Sequence, residues 1–168
     1  DNINKFNFSE EYIIDKAPLN FRFIGFIRKS FPNSYIIHCD RDPLDICWSN
    51  YKQCFSAKIM GFSYNLTNLG NFYNLYKEYM NYWEKLYGKK IYNLKYENFT
   101  NNFEEEARKL LSFCDLSWDE KCSEFYKNSR TVTTASLAQV RQPIYKSSIS
   151  SSRNYSDYLN ELINIINK

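Results

Sequence analysis

The chain has 168 residues, 43% of them hydrophobic and 24% charged, with a formal net charge of +3. That length fits one domain with a buried core, taken as residues 1–168. A modest charge without any Lys/Arg block argues against nucleic acid as a partner, and no apolar run reaches the roughly 18 residues of a membrane span.

Five cysteines, Cys39, Cys47, Cys54, Cys114 and Cys122, are odd in number and lack CxxC spacing. They read as buried thiols in a reducing, cytoplasmic compartment, with neither a disulfide framework nor a metal site. Asn, Ile, Lys, Tyr and Phe are abundant while Gly and Pro number only four each, a bias that AT-rich codons explain. The start at Asp1 is neither a signal peptide nor a methionine, so the expectation is a fragment or processed piece.

In chain order, residues 11–14 form a short apolar piece ending in Asp15-Lys16-Ala17-Pro18. Leu19, Phe21, Phe23, Ile24, Phe26, Ile27 and Phe31 then fit a mostly buried helix closed by Pro32. Residues 34–39 are apolar and rich in β-branched and aromatic side chains, which predicts a buried strand. The only histidine, His38, lies mid-strand and reads as a core or supporting residue in preference to a catalytic base. Asp42-Pro43 is a helix start, with Asp42 as N-cap, Pro43 at the first helical position and Asp45 in the first turn. This helix is expected over residues 42–57.

Arg41 therefore falls at the carboxyl end of a strand, with Ser49 about two turns into the next helix. A guanidinium fork and a hydroxyl at such a strand end can clamp a phosphate. The competing reading has Arg41 paired with Asp42 or Asp45 and Ser49 in solvent.

Residues 61–68 read as a loop. Leu69, Phe72, Tyr76, Met80, Trp83 and Leu86 recur at helical spacing, so a long amphipathic helix runs to about Tyr87 with its aromatic stripe in the core. A strand over 91–96, a helix over 103–114 and a shorter one over 118–126 follow. Residues 128–152 are long, polar and Ser/Thr-rich, which in one domain marks a functional or a disordered loop. The last helix is expected over 153–166, with Tyr155, Tyr158, Leu159, Leu162 and Ile166 on one face. Alternating strands and helices predict an α/β fold with a parallel sheet flanked by helices.

Several stretches together resemble the sulfotransferases. They are Asp15-Lys16-Ala17-Pro18-Leu19-Asn20, Phe31-Pro32-Asn33-Ser34, Arg41-Asp42-Pro43 with Ser49, Tyr96-Glu97 after a strand, and residues 134–145, which include Ser136 and Arg141-Gln142-Pro143. The nearest likeness is to the bacterial branch often fused to tetratricopeptide repeats, itself similar to tyrosylprotein sulfotransferases. The resemblance implies a P-loop-NTPase-like sulfotransferase fold. It also implies 3′-phosphoadenosine 5′-phosphosulfate as sulfonate donor and a hydroxyl-bearing acceptor: a peptide tyrosine, a glycan or a small alcohol. By the same resemblance Arg41 and Ser49 hold the donor's 3′-phosphate, Tyr96 lies beside the adenine, Ser136 reaches the donor near the transferred group, and Lys16 faces the sulfuryl bridge. A cation at that bridge stabilises the charge growing on the leaving phosphate oxygen.

Two departures follow. The family's glycine-rich loop of the Pro-Arg-Ser-Gly-Thr-Thr type has no counterpart, since Gly25, Gly61, Gly70 and Gly88 are isolated. The chain is thus expected to be the C-terminal part of a sulfotransferase domain, lacking the phosphate-loop strand and the general base, inactive alone and exposing an unpaired sheet edge. The family's Gly-basic-Trp triplet is replaced by Ser150-Ser151-Ser152, which leaves Lys146 or Arg153 to supply the charge. Alternatives are a non-catalytic relative serving as a nucleotide-binding or interaction module, and an unrelated P-loop nucleotide kinase.

Overall fold

The computed structural model describes residues 11–55, 58–129 and 139–168. Its centre is a pair of parallel strands, β1 (Ile36–Asp40) and β2 (Ile91–Lys95), with Ile36 opposite Ile91, His38 opposite Asn93 and Asp40 opposite Lys95. The expected parallel sheet is present but small, two strands among the described residues, in an otherwise helix-rich chain. A parallel pair needs a crossover. Here it is made by α2 (Pro43–Lys52), a 3₁₀ segment (Lys58–Tyr64) and α3 (Leu66–Tyr87).

The local starts and stops follow from the sequence. The Asp42 carboxylate accepts the Asp45 backbone N–H at 2.9 Å with Pro43 at the first position, so α2 begins as expected. It ends at Lys52, five residues earlier than expected. Asn65 caps α3 through the Asn68 N–H at 2.9 Å, which starts that helix inside the stretch expected to be loop. Gly88, at φ 48°, ends it; a residue without Cβ takes that left-handed turn without steric cost.

α3 is the spine of the molecule, and each half serves a different core. Its first half packs Leu69 and Tyr73 with Cys47 of α2 and with Leu159, Leu162 and Ile166 at the C-terminus. Its second half packs Met80 with Phe21, Ile24 and Ile91. The two helices at the first core come so close at Gly70 that a Cβ there would lie 2.8 Å from Ile165 Cγ2. Of the aromatic stripe, Phe72, Tyr76 and Trp83 are half-buried core as expected, while Leu86 is exposed.

Three segments depart from the expected helices. Residues 18–30 divide into a 3₁₀ segment, Pro18–Phe23, and α1, Ile24–Ser30. Packing runs through Phe21 and Ile24, which leaves Phe23, Phe26 and Phe31 exposed. The mixed three- and four-residue periods cannot hold all the aromatics on one face. The C-terminal helix likewise divides into a 3₁₀ segment, Ser151–Tyr158, and α6, Asn160–Ile166, so Tyr155 and Tyr158 face outward. The helix expected over 118–126 is a 3₁₀ segment, Glu120–Lys127, while Tyr96–Asn101 forms a further helix, α4, ahead of α5 (Phe103–Phe113).

All five thiols are free, but only Cys47 and Cys114 are buried. The expectation of five buried thiols is corrected most clearly at Cys39. It shares a sheet face with Ile37, which is 42% exposed, because α5 contacts β2 and leaves that face of β1 open. No helix among the described residues is long and apolar enough to cross a membrane.

Candidate active site

Register builds the site. Because Asp40 lies opposite Lys95, the residues that leave the two strands, Arg41 and Tyr96, become neighbours. The Arg41 guanidinium carbon stands 4.6 Å from the centre of the Tyr96 ring, a cation–π contact of about 0.5–2 kcal/mol. One residue further, the Asp42 N–H donates to Glu97 Oε1 at 2.9 Å, so the two strand exits are tied together.

The C-terminal segment crosses in front of these exits. Arg41 Nη2 donates to the Ser148 carbonyl at 2.5 Å and lies 3.7 Å from Asp45 Oδ2. Asp45, only 1% exposed, accepts the Ser150 N–H at 2.6 Å and the Ser152 N–H at 2.9 Å. Burial works to raise the Asp45 pKa, but the amides of Ser152 and Ser150 and the Arg41 charge outweigh it and hold the carboxyl below its ordinary value. Ser150 adopts the left-handed conformation, φ 58° and ψ 20°.

A cleft of about 680 Å³ opens between these exits, α3 and the C-terminal segment. Asp40, Asp42, Asp45, Glu84 and Glu97 line it, together with Arg41, Lys77, Lys95 and Arg153. On its floor a hydrogen-bonded chain crosses from sheet to helix. Glu84 accepts from Asn93 Nδ2 at 2.9 Å, Asn93 Oδ1 faces His38 Nδ1 at 2.6 Å, and His38 Nε2 bonds the Tyr76 hydroxyl. His38 thus supports the cleft wall, in keeping with its mid-strand reading. Tyr76 stays protonated, since burial first and then the neighbouring Asp40 raise its pKa well above the ordinary phenol value.

The expected site residues are distributed unevenly. Arg41 and Arg153 line the cleft, and Tyr96 supports Arg41. Ser49 is exposed on α2, Lys146 is exposed, and Lys16 is exposed in the extended segment before Pro18; none of the three lines the cleft. Ser136 lies outside the described residues. Asp45 has the pairing with Arg41 that the competing reading anticipated. What the sequence reading missed is the Asp45 link to Ser150 and Ser152, a contact across more than a hundred residues to backbone groups that carry no side-chain signal. Among the described residues no group of three or more His, Cys, Asp or Glu is placed to hold a metal ion.

A half-buried arginine at a parallel strand exit, backed by an aromatic ring and a proline-started helix, stands in a small parallel α/β arrangement. Comparison with known proteins makes that class specific: the model of the sulfotransferase family matches residues 1–120, and the chain belongs to that family. It is also 42% identical to an uncharacterized protein of Aquifex aeolicus (strain VF5) over 168 residues. That match takes in 99% of this chain but 22% of the relative's length.

Proposed function

We propose that this domain is part of an enzyme that transfers sulfonate from 3′-phosphoadenosine 5′-phosphosulfate to a hydroxyl acceptor. Arg41 carries the reading. Its Nε is buried without a hydrogen-bond partner among the described residues, although the guanidinium opens on a cleft. A guanidinium on the wall of a cleft offers charge-assisted N–H donors that a phosphate oxygen can accept. The chain thus fits a phosphate at this point, and membership of the family makes the donor's 3′-phosphate the group assigned to it. Tyr96, packed on the guanidinium, fixes its plane, and the family likeness assigns it to the adenine.

When bound, the donor supplies the sulfonate and a 5′-phosphate leaving oxygen on which negative charge develops. Lys16 is the residue assigned to neutralise that charge, Ser136 the one assigned to the donor near it, and Ser49 the hydroxyl partner of Arg41. Lys146 and Arg153 are the candidates for the cationic contact that the Ser150-Ser151-Ser152 triplet lacks, and Arg153 is the one on the cleft. The phosphate loop and the general base are assigned to sequence outside this chain, and the acceptor is a peptide tyrosine, a glycan or a small alcohol. Tetratricopeptide repeats upstream are part of the same reading.

A second reading, a nucleotide-binding or interaction module without turnover, is favoured by the carboxylates that line the cleft beside its cations. The full-length protein separates the two when incubated with sulfur-labelled donor and hydroxyl acceptors of the three kinds. Label transfer supports the enzyme, whereas donor binding without transfer to any of them supports the module. In the active protein, Lys16→Ala is expected to lower kcat with donor affinity largely kept, as for a contact made in the transition state. A loss confined to binding would remove Lys16 from the chemistry.

A further inference from the structure

Asp45 is saturated in an unusual way for a first-turn carboxylate. Its own N–H is held by Asp42, while its two oxygens take the Ser150 and Ser152 amides at 2.6 and 2.9 Å. Arg41, which stands beside it at 3.7 Å, grips the same strap through the Ser148 carbonyl at 2.5 Å. The strap thus closes a ring: Arg41 to Ser148, along the chain to Ser150, on to Asp45 and back to Arg41. A carboxylate 1% exposed is tolerated only with such partners, and removing any one leaves a buried charge short of donors.

From this ring we infer that Asp45 is a positioning residue for anion binding: by pinning residues 148–152 it fixes the direction in which Arg41 presents its guanidinium to the cleft. The inference rests on Arg41 being the phosphate ligand. With the strap held, one Nη2 hydrogen is engaged by Ser148, and the guanidinium is held in one direction with its other N–H donors left for a ligand in the cleft. With the strap released, Nη2 loses its carbonyl partner and the guanidinium is no longer held in one direction. A merely structural anchor would affect stability alone; a positioning residue also sets affinity in the folded protein.

The test titrates 3′-phosphoadenosine 5′-phosphate into the full-length protein, its Arg41→Ala variant and its Asp45→Asn variant, with hydrogen exchange read at Ser150 and Ser152. Asn keeps the size but turns one acceptor into a donor facing an amide, so one strap bond is lost. The expected result is a folded Asp45→Asn protein with affinity reduced about tenfold to a hundredfold and faster exchange at both amides. Faster exchange with wild-type affinity would overturn the inference. Should Asp45→Asn not fold, Asp45→Glu retains the charge beside Arg41 but displaces the oxygens from the amides; weaker binding supports positioning, and unchanged binding refutes it. Failure of the donor reading looks different: the wild type then binds no better than Arg41→Ala.

Discussion

Ser150 holds a backbone conformation that residues with a side chain seldom adopt. Its left-handed φ of 58° is the geometry that glycine adopts freely and that costs an L-residue about 1–2 kcal/mol. The serine keeps the turn, because its N–H and that of Ser152 are held by Asp45. Ser150→Gly is therefore expected to raise stability by about 0.5–1 kcal/mol, the relief being reduced by glycine's greater unfolded-state entropy. Urea melts of the two proteins check this, and a destabilised glycine variant would mean that the serine side chain contributes more than its backbone costs. The Asp42 cap and the Arg41 strand exit were legible in the sequence because each depends on neighbours within a few residues. The Asp45–strap contact was not, since backbone amides a hundred positions away have no residue code.

At the scale of elements, α3 organises both cores, and its fit to α6 is tightest at Gly70. A Cβ there would stand 2.8 Å from Ile165 Cγ2 and 3.2 Å from Leu162 Cδ1. Alanine improves helix propensity by up to about 1 kcal/mol, yet overpacking a full core costs about 1–3 kcal/mol, so Gly70→Ala is expected to destabilise. Thermal melts are the measurement, and a higher Tm would show that the α3–α6 contact relaxes freely. The periodicity of α3 was readable because one long helix faces two cores with a single stripe. The helices expected over 19–31 and 153–166 are not continuous, since a 3₁₀ turn joined to an α-helix shifts the face by about 20° per residue and leaves an aromatic stripe partly exposed.

For the molecule as a whole, acid should act through Asp45. Its folded pKa lies below the ordinary carboxylate value of about 3.9, so its stabilising contribution is complete above that pH and is lost as pH falls through the lowered folded value. The Tm gap between wild type and Asp45→Asn is expected to be constant from pH 5 to 7 and to close below about pH 4. A gap that closes near neutrality would point to another group. The parallel order of the sheet was legible from strand–helix alternation, but its two-strand extent and the open face at Ile37 and Cys39 were not, because coverage depends on which strand α5 meets.

The central claim is that Arg41 grips a 3′-phosphate, and a ligand that differs only in that group tests it most directly. Calorimetry of the full-length protein should find 3′-phosphoadenosine 5′-phosphate bound more tightly than adenosine 5′-phosphate by about 2–4 kcal/mol, the value of one desolvated charge pair, with the difference abolished by Arg41→Ala. Equal affinity for the two nucleotides, or a preference that survives Arg41→Ala, would contradict the account.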